Sequence, residues 1–165
     1  MSERERIAIL PGSYDPFTRG HAALARRAAL LFDRIVIAVM QNREKQYLFT
    51  TEERVRLAEA SVADIPNCDV ISDGGLLVDL YAKIGACCVV KGIRNERDYV
   101  YESAQADWNR AHLCGFETVY LPADEVFAAI SSTEVRRRLD ENEDFRDLLT
   151  PEAARLLLEM RKSVD

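Results

Sequence analysis

The sequence predicts an α/β protein with a doubly wound, five-stranded parallel sheet and additional helices at its C-terminal end. Short, continuous apolar runs alternate with longer stretches rich in helix-forming residues. Such runs are typical of strands buried on both faces, as parallel sheets require. No linker, repeat or low-complexity segment divides the 165 residues, so we expect a single domain over residues 1–165.

The predicted elements follow one another regularly along the chain. The first strand is predicted at residues 7–10, and Pro11, Gly12 and Pro16 then force an irregular loop. An alanine- and leucine-rich stretch from Gly20 onward favours a helix. The other apolar runs predict strands at residues 34–40, 68–72, 86–90 and 116–121. Helices are predicted at residues 50–63, 76–84 and 96–112, with two or three more near the C-terminus.

Three of these helices begin with recognisable N-terminal signals. The spacing Thr-x-x-Glu at residues 50–53 and Ser-x-x-Glu at residues 131–134 predicts two capping boxes. Thr150-Pro151 combines a capping residue with proline at the first helical position, which predicts the start of the last helix.

The composition is that of an ordinary soluble protein with a modest negative charge. Lys and Arg total 22 against 28 Asp and Glu, a formal net charge of −6. This charge does not favour nucleic acid or an anionic membrane as a partner, so any anionic ligand must be met by local basic residues. Apolar runs are too short for a membrane span and no signal-peptide pattern is visible, so we expect a cytoplasmic protein.

The four cysteines stand at positions 68, 87, 88 and 114 and form no C-x-x-C pair. Cys87 and Cys88 lie in an apolar run, which favours buried thiols over a disulfide or a metal site. We therefore expect no metal ion held by protein side chains alone.

Two helix starts are predicted to bind phosphate. The first helix carries His21 in its first turn, where backbone N–H groups and the helix dipole attract anions. The dipole opposes a positive charge on the imidazole, so we expect a neutral ring that donates its N–H to a phosphate oxygen, with the Thr18 hydroxyl nearby. The second start offers hydroxyls at residues 131–133, with Arg137 adding charge. The alternative is that His21 and Ser131 only cap their helices.

Loops after several strands are expected to share one crevice, because ligands of doubly wound sheets bind beyond the carboxyl ends of the strands. These loops contain residues 13–21, 42–45, 91–94 and 130–133. Considered singly, Lys45 is more readily a solvated lysine than a phosphate-binding one. Lys91 is as readily a charged strand end, and Glu102 as readily a solvated glutamate, as either is a ligand-binding residue.

The segment Gly12-Ser13-Tyr14-Asp15-Pro16-Phe17-Thr18-Arg19-Gly20-His21 resembles the signature of the nucleotidyltransferase superfamily that carries an H/T-x-G-H motif. Its Thr-x-Gly-His form is more similar to the phosphopantetheine adenylyltransferase family than to relatives with His-x-Gly-His. Three further patterns of that family match: N-x-x-K-x-x-x-F-x-x-x-E-R at residues 42–54, D-[FY]-x-[YW]-E at 98–102 and I-S-S-[ST] at 130–133. One position departs, since Lys91 stands where the family usually has arginine in R-G-[LI]-R.

The resemblance implies a Rossmann-like fold and transfer of the adenylyl group of ATP to 4′-phosphopantetheine, giving dephospho-coenzyme A and pyrophosphate with the help of Mg²⁺. It implies that His21 and Lys45 are catalytic, and that Ser13, Lys45, Leu77 and Lys91 bind phosphopantetheine. It also implies a homohexamer and feedback by coenzyme A. The nucleotide-binding residues it implies are Ser13, Tyr14, His21, Gly92, Ile93, Arg94, Glu102, Phe127, Ala128, Ala129, Ile130, Ser131, Ser132 and Thr133.

Two other functions are open at this point. A sister enzyme would adenylate nicotinate mononucleotide or transfer a cytidylyl group, and Thr18 in place of histidine disfavours it. A catalytically silent nucleotide sensor would be expected to lack His21 or Lys45, and both are present. No acid–base pair or activated nucleophile stands out, which suits a direct in-line attack by a phosphate anion, accelerated by positioning and charge neutralisation.

Overall fold

The computed structural model describes residues 5–162, which contain five strands and six α-helices in alternation. The strands are β1 (Ile7–Gly12), β2 (Arg34–Met40), β3 (Cys68–Asp73), β4 (Cys88–Ile93) and β5 (Thr118–Pro122). The helices are α1 (Arg19–Ala29), α2 (Thr51–Val62), α3 (Leu77–Ile84), α4 (Glu96–His112), α5 (Ser132–Asp140) and α6 (Pro151–Lys162). Single 3₁₀ turns occupy Glu125–Phe127 and Arg146–Leu148.

The five strands form one sheet in the order β3-β2-β1-β4-β5, and every pair of neighbours within residues 5–162 is parallel. β1 lies at the centre, and its Ala8 and Ile9 are completely buried. The chain moves outward in one direction from β1 to β3 and in the other from β4 to β5. The crevice between the carboxyl ends of β1 and β4 is therefore the switch point at which such sheets bind ligands.

The two faces of the sheet are covered by different helices. Ala8 and Leu10 of β1 point to the face that packs against α1 and α2, whereas Ile9 packs with α3 on the opposite face. A third apolar cluster joins α2 to the C-terminal helices α5 and α6. The predicted doubly wound α/β fold with C-terminal helices is confirmed.

α1 packs closely on the sheet because its inward face is made of small side chains. Ala22, Ala25 and Ala28 are completely buried and recur every three residues. This spacing places them on one face of the helix. His21 precedes the first of these alanines, so the packing of α1 brings its first turn to the mouth of the crevice.

The prediction for β4 was wrong at its boundaries. The strand begins two residues later than predicted, at Cys88, and continues through Lys91 and Gly92 to Ile93. Lys91 pairs with Tyr120 of β5, so the hydrogen-bonded ladder extends past the apolar run. An apolar run in the sequence indicates only the buried middle of a strand. The hydrogen-bonded pairing of the strand also includes the polar residues at its exposed end.

The capping box predicted at residues 131–134 is only half formed. The Ser131 hydroxyl accepts a hydrogen bond from the Glu134 backbone N–H at 3.1 Å, as predicted. The Glu134 carboxylate does not return to Ser131, because it pairs with Arg137 and Arg138 at 2.8 and 2.9 Å. The capping box at residues 50–53 is formed in both directions.

The expectation that the cysteines are buried was also wrong in part. Cys88 is buried, whereas Cys87 and Cys114 are exposed and Cys68 is half-buried. Cys87 precedes β4, so it lies at the rim of the sheet. All four are free thiols, and burial raises the pKa of the Cys88 thiol to about 12.

None of the helices formed by residues 5–162 is both long enough and apolar enough to cross a membrane. The single domain predicted over residues 1–165 includes residues 1–4 and 163–165, which lie outside the described residues, and it stays a prediction.

Candidate active site

A cavity of about 340 Å³ opens in the crevice between β1 and β4. Its walls come from the β1–α1 loop, the first turns of α1, the end of β4, the segment after β5 and the start of α5. Three of the four loops that were expected to share a crevice therefore do so. The loop after β2 contributes no residue to this wall among residues 5–162.

The Tyr14 side chain folds back against the start of the β1–α1 loop. Its backbone has a positive φ of 50°, and its hydroxyl donates a hydrogen bond to the Leu10 carbonyl oxygen at 2.8 Å. The ring covers Gly12, where an added Cβ would lie 2.8 Å from a ring carbon. Residue 12 must therefore be glycine for this ring to lie where it does.

Thr18 and His21 form a reciprocal cap at the start of α1. The Thr18 hydroxyl accepts from the His21 backbone N–H at 3.4 Å, and the Thr18 backbone N–H donates to Nδ1 of His21 at 3.0 Å. A backbone N–H can only donate, so Nδ1 carries no proton. The neutral ring therefore holds its hydrogen on Nε2, the one nitrogen left to serve the cavity that His21 lines.

The surroundings of His21 favour the neutral ring. Burial, together with the nearby positive charge of Arg94, lowers the pKa of His21 to about 4. The centroids of the Tyr14 and Phe17 rings lie 5.0 and 5.2 Å from the centroid of the imidazole, and the two rings exclude water from that side. His21 thus both caps the helix and lines the cavity, and its binding of phosphate stays a prediction.

Lys91 and Glu102 form an ion pair in the wall of the cavity, with 3.1 Å between Nζ and Oε2. Both side chains are half-buried, at 24% and 18% exposure. They also line a second cavity of about 370 Å³, whose walls include Leu77 of α3 and Trp108 of α4. The ion pair therefore stands at the boundary between two neighbouring cavities.

In the part of the chain that the structure describes, four cationic side chains line the first cavity, and each is paired with a carboxylate. The pairs are Arg27–Asp124, Lys91–Glu102, Arg94–Asp98 and Arg136–Asp15. An anionic ligand would therefore compete with these carboxylates. Binding of an anionic ligand by these cations is expected to weaken as salt is added, because exposed charges are screened.

The chain matches the cytidylyltransferase-like family over residues 9–138. It is 41% identical over 151 residues to phosphopantetheine adenylyltransferase of Flavobacterium psychrophilum, covering 92% of this chain and 99% of that protein. It is 39% identical over 152 residues to the enzyme of the same name from Thiobacillus denitrificans, covering 92% and 95%. The chain belongs to the phosphopantetheine adenylyltransferase family.

This membership confirms the resemblance seen in the sequence. A solved structure from Vibrio parahaemolyticus, provisionally described as a nicotinate-nucleotide adenylyltransferase, superposes with a TM-score of 0.70 at 19% identity. The superposition covers 94% of this chain and 93% of that one. At this identity it shows the shared Rossmann-like fold.

Most of the residues predicted for ligand binding in this family lie together. Those that line the first cavity are Ser13, Tyr14, His21, Lys91, Gly92, Arg94, Glu102, Phe127, Ile130 and Ser132. The side chain of Tyr14 is buried with its hydroxyl bonded internally, so only its backbone and ring edge are available to a ligand. Leu77 lines the second cavity.

The remaining predicted residues line neither of these two cavities: Lys45, Ile93, Ala128, Ala129, Ser131 and Thr133. Ala128 and Ala129 are exposed, and Thr133 accepts a hydrogen bond from Arg136 at 3.2 Å. Lys45 is exposed in the loop after β2. That loop is displaced because β2 lies on the far side of β1 from β4. The roles predicted for these residues stay predictions.

The sequence analysis included Arg54 and Asp15 in the matched family patterns but gave no role to either of these buried charged residues beside the site. Arg54 of α2 is 1% exposed and donates to the carbonyl oxygens of Ser13 at 2.6 Å and Met40 at 3.1 Å. Asp15 is 4% exposed. A signal for Arg54 was available, since it shares one helix face with Leu57 and Ala58, both completely buried.

The tautomer and charge of His21 can be measured by long-range ¹H–¹⁵N NMR. We expect the Nε2–H pattern of a neutral ring between about pH 5 and pH 8, where an ordinary histidine titrates. Below about pH 6.5 His21 binds a proton in the unfolded chain, whereas in the folded protein it stays neutral down to about pH 4. His21 therefore lowers the free energy of unfolding as the pH falls from about 6.5 toward 4. An Nδ1–H pattern, or titration near pH 6.5, would contradict the assignment.

Proposed function

We propose that this protein transfers the adenylyl group of ATP to 4′-phosphopantetheine, giving dephospho-coenzyme A and pyrophosphate, a step of coenzyme A biosynthesis. The named relatives support the substrates. The observation that carries the proposal is the reciprocal cap that leaves Nε2–H of His21 as a donor at the mouth of a cationic cavity. A phosphate oxygen is the natural acceptor for such a donor.

The reaction needs no proton transfer to start. A phosphate oxygen of phosphopantetheine attacks the α-phosphorus of ATP, and the bond from that phosphorus to the bridging oxygen breaks as pyrophosphate leaves with the electron pair. Negative charge gathers on the non-bridging oxygens in the transition state. In this mechanism His21 donates Nε2–H to one of them, and Ser13, which directly follows β1, holds the phosphates.

The two neighbouring cavities suit the two substrates. The first, with Phe127 and Ile130 on its wall, takes ATP, and the second, with Leu77 and Trp108, takes the pantetheine arm. Lys91 stands at their boundary, where the attacking phosphate must lie. Lys45 completes the set by closing over the phosphates from the loop after β2.

Mg²⁺ is proposed to enter with the triphosphate of ATP. Among residues 5–162, no three His, Cys, Asp or Glu side chains come together as a metal site. Mg²⁺ that enters with a nucleotide usually keeps several waters and is held by phosphates and one or two carboxylates. The carboxylates on the cavity wall that could serve are Asp124 and Glu102. When bound, the ion neutralises charge on the triphosphate.

Three further expectations belong to the same proposal. The homohexamer, feedback by coenzyme A and the cytoplasmic location stay predictions. The homohexamer is tested by measuring the mass of the assembly in solution, and feedback is tested by inhibition assays with coenzyme A.

The proposed function is tested by pyrophosphate release from ATP and Mg²⁺ with different acceptors. We expect release with 4′-phosphopantetheine and background rates with nicotinate mononucleotide and with glycerol phosphate. Mass spectrometry should identify dephospho-coenzyme A as the product. Release with nicotinate mononucleotide alone would assign the chain to the sister activity instead.

Two substitutions test the chemical role of His21. His21→Ala removes both the cap and the Nε2–H donor and costs about 1 kcal/mol of stability, whereas the amide of His21→Gln can accept from the Thr18 N–H and still offer an N–H in place of Nε2–H. We expect His21→Ala to lower kcat by roughly 100- to 1000-fold, the range for losing one donor to a developing oxyanion, and His21→Gln to retain more of the rate. Near-normal kcat in a folded His21→Ala variant would remove the ring from the mechanism.

Lys91→Arg tests the residue that departs from the family pattern. A guanidinium can hold Glu102 and a phosphate at once through its fork, whereas the ammonium of Lys91 is a single point charge. We expect KM for phosphopantetheine to be unchanged or up to about tenfold lower, with kcat little changed. Lys91→Met, which removes the charge, should raise that KM by about tenfold or more. A large loss in Lys91→Arg would show that this cavity is fitted to lysine.

A further inference from the structure

The loop that carries Lys45 is attached at both ends to the β1–α1 loop. At its start, the Met40 carbonyl oxygen accepts from Arg54, which also donates to the Ser13 carbonyl oxygen. At its end, the backbone N–H groups of Leu48 and Phe49 donate to the Asp15 carboxylate. The two attachments reach the β1–α1 loop at Ser13 and Asp15, the residues on either side of Tyr14, and both residues line the first cavity.

The Asp15 carboxylate is fully engaged in this attachment. Oδ2 accepts from Leu48 and Oδ1 from Phe49, each at 2.9 Å. Arg136 donates to the Asp15 carbonyl oxygen at 2.6 Å and approaches Oδ2 to 3.8 Å. A carboxylate with each oxygen bonded to a backbone amide forms strong, charge-assisted hydrogen bonds. Asp15 therefore links the β1–α1 loop, the loop after β2 and α5.

Lys45 lies close to this attachment along the chain. It precedes Leu48 by three residues, and three residues of extended chain span at most about 10 Å. Residues 41–46 are exposed, whereas Phe49 packs against the apolar cluster of α2, α5 and α6. Tyr47, two residues after Lys45, accepts from the Asn42 backbone N–H at 2.9 Å, and the Arg54 guanidinium lies 3.9 Å from the centre of its ring. Among residues 5–162, the Asp15 bonds are the nearest direct hydrogen bonds between this loop and the β1–α1 loop.

We propose that Asp15 is a positioning residue for Lys45. By holding the amides of Leu48 and Phe49, it sets the distance from which the ammonium group reaches the reacting phosphates. Asp15 itself touches neither substrate in this proposal, which rests on the proposed function. Loosening the attachment lowers kcat, because a displacement of about 1 Å at a reacting group can cost about 100-fold in rate.

A double-mutant cycle of Asp15→Asn and Lys45→Ala tests the proposal. The asparagine side chain is nearly isosteric, but its NH₂ group cannot accept a backbone N–H, so one of the two bonds is lost. We expect Asp15→Asn to lower kcat about 10- to 100-fold with KM for ATP little changed. In the Lys45→Ala background, Asp15→Asn should have no further effect on kcat.

Losses that simply multiply in the double variant would overturn the proposal, since Asp15 would then act on His21 or on the fold. An unchanged kcat in Lys45→Ala would overturn it too. Either result leaves adenylyl transfer by the wild-type enzyme intact, so failure of the proposed function would be recognised separately by the absence of dephospho-coenzyme A.

A second pair of variants leaves Asp15 in place. Leu48→Pro removes the backbone donor to Oδ2, whereas Leu48→Ala keeps it and is the matched control. We expect Leu48→Pro to lower kcat in the same way as Asp15→Asn and Leu48→Ala to keep near-normal kcat, with melting curves confirming that each variant is folded. Equal kcat of the two Leu48 variants would contradict the proposal. This comparison tests the proposal even where the Asp15→Asn variant fails to fold.

Discussion

The hydrogen bond from the Thr18 backbone N–H to Nδ1 of His21 is the interaction on which the chemistry of this site depends. It holds the imidazole against the first turn of α1 and leaves the ring hydrogen on Nε2. Burial and the charge of Arg94 lower the pKa of His21, so the ring stays neutral. A cap, which is usually only a stabilising device, here also determines which ring nitrogen is free to donate a hydrogen bond.

The second feature of the site is that its cations are paired before any substrate arrives. Lys91 with Glu102 and Arg136 with Asp15 show two different uses of such pairing. The pair of Lys91 and Glu102 stands at the boundary of two cavities, where a bound phosphate would compete with Glu102 for Lys91. Asp15 is buried and bonded to two backbone amides, so its role is to hold chain segments together.

Sequence reasoning succeeded where the signal is local and failed where it depends on a distant partner. β2 was predicted at its observed bounds because its apolar run is continuous, and the Thr50 cap because its partner is three residues away. The half-formed cap at Ser131 is the exception, because Glu134 pairs with Arg137 and Arg138, three and four residues along the chain, and does not return to Ser131. The burial and bonding of Arg54 were not predicted, because its acceptors, Ser13 and Met40, are far along the chain.

The sequence by itself determined the fold class, the helix starts and the family, because periodicity, capping residues and motifs are properties of neighbouring residues. Tertiary structure alone decided which of the predicted residues meet. The strand order places β4 beside β1, so Lys91 joins His21 at one cavity. The same order places β2 on the other side of β1, so the Lys45 loop is joined to the β1–α1 loop through Arg54 and Asp15. Strand order is set by packing over the whole chain, which no local pattern records.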